Sequence, residues 1–504
     1  MLITETERVS RIIEEGAKNS ISLVDFIEIQ IEEFEKSNEY KWMNIGERYA
    51  NNESDILTKE RTYIDENGID RKAPHANNSK VQYPVVIKLG NQKQGYLLKK
   101  KMTIKEKVKD TKKENQYSNE LVSFFNNRKH KLMKNTMWQS IHKGICWWYL
   151  YLNDEMKLKA KLRYAVEIIP IWADREHEEL AAVIVRYFMT EYTSKTTKKV
   201  IEKIEYHDLD GIRFFVREDG KLIPDVLKIE ENEELLIKFD TEGNCVFANF
   251  KIGNELKTWK KLPFIYWKYN SQERPLIYFI KSLVDEIEKL KSAIDDKLLD
   301  SVDGVHVVKG YQDAIEKFQK NIQTFKTIFL DEDGEYDYKQ GTIDIEAFKQ
   351  AIEQLRRDIY DIGCGVDTDN DKFGNQLSGV AIQQLYNNLD LDCSNIESEF
   401  QSSLEYFMFF FNAWLSICNN KDYSEKEVEF IFNKSMITDT SAKITDVKNS
   451  IGIVSRKTIL ANHPHVTDVN EEIQQIENEE KAEKKKNDDY SDLDKTKTGD
   501  SDEE

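Results

Sequence analysis

The sequence contains little proline or glycine, with 7 Pro and 20 Gly in 504 residues. These two residues most often interrupt helices and strands, so most of the chain is free to form regular structure. Hydrophobic residues make up 39% of the sequence and include 24 Phe, 23 Tyr and 8 Trp, enough to fill a large core. Since domains usually contain about 100–200 residues, we predict more than one folded domain.

Cysteine is also scarce, and the five cysteines do not form a C-x-x-C pair. Zinc sites and disulfide frameworks depend on closely or regularly spaced cysteines, so both are disfavoured. We predict five reduced cysteines that pack in the core, namely Cys146, Cys245, Cys364, Cys393 and Cys418.

The chain lacks an excess of positive charge, since 92 acidic residues outweigh 73 basic ones and the formal net charge is −19. Proteins that hold DNA tightly usually present a basic face, because neutralising phosphates dominates their affinity. The balance therefore argues against ordinary DNA binding. It remains compatible with a surface that must avoid adhering to DNA.

No stretch approaches the ~18 consecutive apolar residues typical of a membrane-spanning helix. The first sixteen residues, MLITETERVSRIIEEG, are charged and helical in pattern, so we predict neither a signal region nor membrane association. The most apolar segment, YFMFFFNAWLSIC at 406–418, has polar helical flanks. We predict that it is a core or subunit-interface helix.

The first half of the chain has the pattern of an α+β domain over 1–270. Residues 1–50 are helical in pattern, 50–80 form a polar exposed loop, and 162–270 contain several short apolar strands. The segment from Val81 fits either a helix or a strand, whereas 117–152 predicts a helix followed by a strand with an Asn-Asp turn. The fold class we predict is α+β, mainly helical.

After residue 270 two heptad patterns predict long helices that pack lengthwise on neighbours. The first begins near Glu273, and the second stops at Gly363–Cys364–Gly365, where glycine is expected just past a helix end. The apolar positions recur at alternating steps of three and four, at Leu276, Ile280, Leu283, Ile287, Leu290 and Ile294 in the first helix and Ile345, Phe348, Ile352, Leu355, Ile359 and Ile362 in the second.

Between the two helices, residues 301–342 predict a strand followed by a hairpin at Asp333–Gly334. A further helix is expected from Ser378, as its N-cap, to about Cys418. The segment VEFIFN at 428–433 predicts a short strand, 438–485 are helical in pattern, and the acidic residues from 486 predict a disordered tail.

The stretch DKFGNQLSGVAIQQL at 371–385 places Gly374 and Gly379 at the G-x-x-x-x-G spacing of a nucleotide-binding loop. Such a loop continues with Lys and then Ser or Thr, which hold phosphate and magnesium, whereas Val380 and Ala381 follow here. We also find no H-E-x-x-H cluster, no nucleophile elbow and no other catalytic constellation. The residues therefore indicate no catalytic, metal or cofactor site.

Aromatic residues cluster in MWQSIHKGICWWYLYLND and FIYWKYN, and such clusters can serve as stacking platforms for bases. Both segments sit in an apolar strand context. Core packing is therefore the favoured interpretation.

The order of the segments resembles that of tailed-bacteriophage portal proteins, the head-to-tail connectors, in the siphophage branch of that family. The match covers roughly residues 80–485. It is carried in chain order by MWQSIHKGICWWYLYLND, VEIIPIWADREHEELAAVIVRYF, PFIYWKYNSQERPLIYFIKSLVDEIEKLKSAIDD, FKQAIEQLRRDIYDIGCGVD, DKFGNQLSGVAIQQLYNNLDL and TILANHPHVTDVNEEIQQIENEE.

This resemblance implies a ring, typically a dodecamer, at one capsid vertex of the virion, assembled in the host cytoplasm. Double-stranded DNA passes non-specifically through its channel during packaging and ejection. Its partners are the terminase, the major capsid and scaffold proteins, and head-completion or adaptor proteins. The resemblance also implies that the chain is not an enzyme and takes no cofactor or metal, since ATP hydrolysis belongs to the terminase. The implied parts are a wing at 1–270, a first stem helix at 271–300, a clip at 301–342, a second stem helix at 343–365, a tunnel loop at 366–378, a long wing helix and strand at 379–433, a helical crown at 434–485 and a disordered acidic tail at 486–504.

The site residues that follow from this resemblance surround the glycine-containing loop. We expect the loop to touch the DNA backbone through residues at its tip, which are Lys372, Phe373, Gly374, Asn375 and Gln376. Arg356 and Arg357 are further candidates for the channel wall, although each is equally well explained as part of a surface ion pair.

Two other functions remain open at this point. The first is an ATP-driven DNA translocase with a degenerate nucleotide-binding loop. The second is a structural scaffold built on helical rods. ATP binding would favour the translocase, and filaments or compact dimers would favour the scaffold.

Overall fold

The computed structural model describes residues 21–65, 67–73, 76–106, 116–192, 197–225, 237–239, 245–302, 305–309, 333–339, 345–368, 379–434, 440–463, 466, 469 and 472–481. The chain divides into two compact units. The first consists of Met1–Asp367 and Asn388–Ser435, and the second of Thr368–Asn387 and Met436–Glu504.

Two consecutive helices open the described chain, α1 over Leu23–Lys36 and α2 over Asn38–Ala50. The Ser22 hydroxyl accepts from the Asp25 amide and caps α1. Ser37 ends α1, and its hydroxyl accepts from the Tyr40 amide at 3.1 Å and caps α2. The helical prediction for residues 1–50 is thus confirmed for the described part, and residues 1–20 lie outside it.

The segment that follows α2 is more ordered than the predicted loop. It contains a 3-10 turn at Asp55–Thr58 and an antiparallel hairpin of β1, Thr62–Ile64, and β2, Asp70–Lys72. The hairpin strands are exposed as predicted, but Ser54 and Ile56 are buried. The segment therefore packs against the body of the first unit.

Helices α3, α4 and α5 come next, and strand β3 lies between α3 and α4. The region that fitted either a helix or a strand is helical, and the helix-to-strand transition in 117–152 is confirmed, with a turn at Asn153. The bounds are α3 Val85–Leu98, β3 Thr103–Glu106, α4 Gln116–Phe124, α5 Asn127–Lys143 and β4 Ile145–Leu152.

A seven-stranded antiparallel sheet in the order β11-β12-β9-β8-β7-β6, with β10 paired to β9, confirms the strand-rich prediction. Alternate residues point to opposite faces of a sheet. Accordingly Val183 and Val185 pack with strand β4, whereas Ala182 and Ile184 pack with α1. The strands are β6 Ile168–Trp172, β7 Leu180–Tyr192, β8 Lys198–His207, β9 Ile212–Glu218, β10 Lys221–Pro224, β11 Ile237–Phe239 and β12 Cys245–Phe247.

A three-stranded sheet in the order β15-β4-β5 holds the aromatic segments. Strand β5 spans Leu158–Arg163 and β15 spans Phe264–Lys268, while β13, Phe250–Ile252, and β14, Glu255–Lys257, form a separate hairpin. The rings of Trp148 and Trp267 lie 4.6 Å apart and both are fully buried. Core packing is thereby confirmed, and these rings are not available to stack on bases.

Two antiparallel helices, α6 over Leu276–Val302 and α7 over Ile345–Ile362, enclose strands β16, Val305–Lys309, and β17, Glu335–Lys339. The two strands pair antiparallel, which confirms a strand near residue 305. The predicted hairpin at Asp333–Gly334 needs a preceding strand within 310–332, which lies outside the described residues.

The helix α8 spans Gly379–Asn419 and contains 41 residues, in agreement with the predicted length. Its apolar segment is a core helix, with Phe407, Phe410 and Phe411 fully buried. Strand β18, Val428–Ile431, follows and pairs with β3, so the predicted short strand is confirmed. The predicted N-cap Ser378 lies outside the described residues.

The second unit contains short helices α9, Thr440–Asn449, and α10, Arg456–Asn462, and a helical stretch over 472–481. This agrees with the helical pattern of 438–485, and the acidic tail lies outside the described residues. No helix in the described parts of the chain is both long enough and apolar enough to cross a membrane.

All five cysteines are free, as expected. Their assignment to the core is correct for Cys146 and Cys393, which are buried. It is wrong for Cys418, which is exposed, and only partly right for Cys245 and Cys364, which are half-buried. Cys418 lies near the end of α8, beyond the fully buried part of that helix.

Candidate DNA-channel elements

The candidate channel elements are α6, α7 and the chain between α7 and α8. The ammonium of Lys297, near the end of α6, lies 4.5 Å from the centre of the Phe348 ring, near the start of α7. At the other end, a Cβ placed on Gly363 would lie 3.7 Å from Cγ2 of Ile280. The two helices therefore pack lengthwise, as their heptad patterns predicted, and they run antiparallel.

The two apolar seams are buried to different degrees. In α6, Leu276, Ile280 and Ile287 are fully buried, while Leu283, Leu290 and Ile294 are partly buried. In α7 only Ile359 is fully buried among the predicted seam residues, and Phe348, Ile352 and Leu355 are partly buried. Ile345 and Ile362, at the two ends of the seam, are 40% and 52% exposed.

A row of polar side chains on α6 binds the extended chain that leads into α3. The Glu288 carboxylate accepts from the Tyr83 amide at 2.8 Å, the Ser292 hydroxyl from Val81 at 3.0 Å, and the Asp296 carboxylate from Ser79 at 2.6 Å. Four helical residues rise about 6 Å and two extended residues advance about 6.6 Å, so the two repeats stay in register.

All three acceptors are buried. Burial raises the pKa of Glu288, whereas the pKa of Asp296 is lowered because its hydrogen bonds from Lys59 and Ser79 outweigh the effect of burial. We name this set, Glu288, Ser292 and Asp296 with the amides of Tyr83, Val81 and Ser79, the polar ladder. It was not predicted from the sequence, although the E-x-x-x-S-x-x-x-D spacing was a visible signal.

A charged cluster nearer the start of α6 binds an earlier part of the chain, at Tyr49 and Asp55. The Lys281 ammonium donates to Asp55 at 2.6 Å and to Asp285 at 2.5 Å, and the Tyr49 hydroxyl also donates to Asp285. Burial opposes the charge of Lys281, but the hydrogen bonds to these carboxylates outweigh it and raise its pKa. Polar contacts to α6 thus come from two places in the earlier chain, around Tyr49 and Asp55 and over Ser79–Tyr83.

The end of α7 has a geometry different from the one predicted. The left-handed residue after the helix is Cys364, with φ of 49°, and not a glycine. The Gly365 amide bonds to the Tyr360 carbonyl and the Cys364 amide to Asp361, which together form a Schellman cap. Glycine is required at 365 because α3 packs closely there: a Cβ on Gly365 would lie 2.0 Å from Cδ2 of Leu89 in α3.

The chain leaves the first unit after Asp367 and re-enters it at Asn388, and both points are anchored. On the way out, the Gln92 side chain in α3 bonds to both the amide and the carbonyl of Val366, at 2.9 and 2.7 Å. On the return, the Asn388 amide group donates to the Asp361 carboxylate at 3.0 Å. The intervening segment therefore joins two fixed points.

The predicted loop-tip residues, Lys372, Phe373, Gly374, Asn375 and Gln376, lie outside the described residues. The two arginines differ from each other. Arg356 bonds to Asp367 at 2.5 Å and is largely buried, whereas Arg357 is exposed and lies 3.8 Å from Glu353. Arg357 is therefore the more accessible of the two cations.

The elements around the glycine spacing do not resemble a nucleotide-binding loop. Such a loop follows a strand, whereas the described element before residue 369 is helix α7 and its cap. Within the described parts of the chain, no group of three or more His, Cys, Asp or Glu side chains could hold a metal ion.

Comparisons with known proteins show which family this sequence resembles. The sequence matches the family described as "Phage portal protein, SPP1 Gp6-like" over residues 31–486. It is 25% identical to the portal protein of Bacillus phage SPP1 over 483 residues, which cover 94% of this chain and 90% of that protein. It is also 25% identical to the portal protein of Clostridium phage phiCD119 over 441 residues, covering 84% and 85% of the two chains.

The class of protein is therefore that of phage portal proteins, and the resemblance noted from the sequence is confirmed. Within that class, this chain belongs to the SPP1 Gp6-like family.

Proposed function

We propose that this chain forms a dodecameric portal ring at one vertex of a phage capsid. The ring is the channel through which double-stranded DNA is packaged and later ejected. The family match over residues 31–486 carries this proposal, because it includes α6, α7, the segment between α7 and α8, and α8 itself.

The parts of the ring are assigned along the chain in the order that the family resemblance implies. The first part, 1–270, is the wing. The stem is assigned to 271–300, which contains α6 except for its last two residues, and to 343–365, which contains α7. Residues 301–342, which include the β16–β17 pair, are the clip, and 366–378 are the tunnel loop. Residues 379–433 are the long wing helix and strand, 434–485 the crown, and 486–504 the acidic tail.

The uneven burial of the stem supports assembly into a ring. Ile345 and Ile362 belong to the same seam as the buried Ile359, yet within one chain they remain substantially exposed. A neighbouring subunit that covers them would gain about 1 kcal/mol for each. A contact of this kind between different faces of identical subunits closes a ring when the rotation per subunit is right.

The channel requires weak, sequence-independent contact with DNA. A chain with a net charge of −19 repels phosphate on average, so DNA slides without adhering. We assign transient phosphate contacts to Lys372, with Phe373, Gly374, Asn375 and Gln376 as the rest of the loop tip. Arg357 is a second candidate on the stem.

The portal itself is assigned no catalytic step and no cofactor. Its clip docks the terminase, which hydrolyses ATP, and later the head-completion and adaptor proteins. The ring also contacts major capsid and scaffold proteins when procapsids assemble in the host cytoplasm, and it remains in the virion.

The variant Lys372→Ala/Asn375→Ala tests the channel loop. Packaging of DNA into procapsids should fall at least tenfold, because the loop loses its cation and a polar contact, while rings and procapsids form normally. Electron microscopy counts rings, and nuclease-protected DNA measures packaging. The matched control is Lys221→Ala/Asn254→Ala, which removes the same side-chain types from exposed positions on β10 and the β13–β14 turn. Unchanged packaging in the loop variant would contradict the loop assignment.

A further inference from the structure

A surface pocket of about 430 Å³ lies between the β13–β14 hairpin and the last turns of α8, and none of its lining residues belongs to the candidate channel elements. Helix α8 contributes Phe409, Ala413 and Ile417, which share one face at positions i, i+4 and i+8. The hairpin contributes Phe250 and Ile252. Ile252 is exposed, and the three α8 residues are partly exposed, so this apolar surface is accessible to solvent.

Buried aromatic side chains support the pocket from inside the first unit. Trp259 lines the pocket and is itself buried. Its ring centre lies 4.8 Å from that of Phe250 and 5.5 Å from that of the fully buried Phe410. The pocket is therefore formed before any ligand binds, and its volume falls within the ~300–1,000 Å³ range of ligand sites.

Polar side chains in the pocket wall already have partners within the protein. The Asn412 side chain accepts from the Tyr117 hydroxyl at 2.8 Å and donates to the Lys426 carbonyl at 3.3 Å. The Ser416 hydroxyl accepts from the Tyr423 amide at 3.1 Å and donates to the Asn412 carbonyl at 2.8 Å. These groups need no hydrogen bond from a ligand, so the interior favours an apolar group through the hydrophobic effect.

The rim of the pocket is positively charged. Residues 251–261 contain four lysines and one glutamate, whereas the whole chain has a net charge of −19. Lys257 and Lys260 line the pocket and are exposed, and the Lys261 ammonium lies 5.3 Å from the centre of the Phe409 ring. Lys257 is paired at 2.5 Å with the glutamate of this segment, but both side chains are exposed and such a pair is broken at little cost.

Asp422 also lines the pocket, and its carboxylate already accepts from the Ser424 amide at 2.9 Å. The lysines outnumber this single charge. The rim therefore attracts carboxylates, while the interior accepts an apolar side chain.

We propose that this pocket binds an acidic segment of a partner protein, with one bulky apolar side chain in the pocket and flanking carboxylates on Lys257, Lys260 and Lys261. Aromatic side chains that enter preformed pockets supply most of the binding energy at protein interfaces, and complementary charge speeds the encounter. The inference goes beyond the proposed function, because the pocket and its charges belong to the single chain and exist whether or not it assembles into a ring.

The test is fluorescence anisotropy with a fluorescein-labelled peptide that carries one tryptophan flanked by glutamates. The peptide is titrated with the purified full chain, both assembled and unassembled. We expect saturable binding to both forms. Alanine in place of the peptide's tryptophan should weaken binding at least tenfold, because the buried apolar side chain is lost.

Two variants separate the pocket from its rim. Ala413→Phe fills the pocket and keeps every lysine, so it should weaken binding at least tenfold. Lys257→Gln/Lys260→Gln leaves the pocket open and removes two cations, so it should weaken binding at least threefold at low salt and less at high salt. The matched control, Lys199→Gln/Lys221→Gln, removes two exposed lysines from β8 and β10 and should bind the peptide as wild type does.

Four results would overturn the inference. Equal binding of the tryptophan and alanine peptides would show that charge alone holds the peptide, and this comparison needs no protein variant, so it decides even if Ala413→Phe does not fold. Unchanged binding by folded Ala413→Phe would show that the peptide lies outside the pocket. Binding to the unassembled chain alone would identify a second copy of this chain as the occupant. Absence of saturable binding to wild type would remove the site altogether, while ring formation, measured separately, tests the proposed function.

Discussion

The polar ladder on α6 gives the sharpest energetic prediction, because one side chain holds two partners. In Asp296→Ala, the Ser79 amide loses a carboxylate acceptor at 2.6 Å, and the Lys59 ammonium loses its partner at 2.8 Å. The hydrogen bond from the Ser79 amide to the charged carboxylate is worth about 1.5–3 kcal/mol. Losing the Lys59 ion pair costs little, because Lys59 is partly exposed and its ammonium regains water. We expect a net loss of about 2 kcal/mol in the local free energy of opening.

The assay is native-state hydrogen exchange of the amides of Ser79, Val81 and Tyr83. If the three hydrogen bonds of the polar ladder open together, Asp296→Ala should speed hydrogen exchange at the Val81 and Tyr83 amides by about thirtyfold. This factor corresponds to about 2 kcal/mol, at about 1.36 kcal/mol per tenfold change. Asp225→Ala, at a buried aspartate outside the ladder, is the control and should leave these amides unchanged. Faster exchange at Ser79 alone would refute the view that the ladder is one unit.

Two further predictions concern the core. His142 is buried and burial lowers its pKa to about 3, below the value of about 6.5 in the unfolded chain. The unfolded state therefore binds a proton that the folded state does not, so stability is lost as pH falls below 6.5. Between pH 6.5 and 4.5, wild type should lose about 2 kcal/mol more stability than His142→Gln in urea unfolding. Gly365→Ala should destabilise the protein by about 1–3 kcal/mol through overlap with Leu89, and adding Leu89→Ala should give a total loss smaller than the sum of the two single losses.

Each of these two predictions has a clear contradiction. Parallel pH profiles for wild type and His142→Gln would show that His142 is not a source of acid sensitivity. Additive losses in the Gly365→Ala and Leu89→Ala pair would show that the two sites do not compete for space.

Local sequence patterns predicted the regular elements well. The heptad steps in α6 and α7, and the apolar content of α8, depend on spacing along one helix, which is visible in the sequence. Helix α7 is an example, because it contains the buried seam residue Ile359 and ends at Ile362, directly before the predicted stop at Gly363–Cys364–Gly365.

The polar ladder illustrates what was missed. It binds backbone amides of a chain about 200 residues earlier through Glu288, Ser292 and Asp296, and backbone amides carry no sequence signal of their own. Likewise, Gly365 suggested a turn, but its real constraint is the approach of Leu89, a contact between distant segments. Distant pairings of this kind, including the ion pair of Lys93 in α3 with Asp392 in α8, arise from tertiary packing and not from periodicity.

The central claim is that this chain assembles into a portal ring, and imaging the purified protein by electron microscopy tests it most directly. The account predicts closed rings with an axial hole, with twelvefold symmetry in the class averages. Monomers, compact dimers or filaments without an axial channel would contradict it.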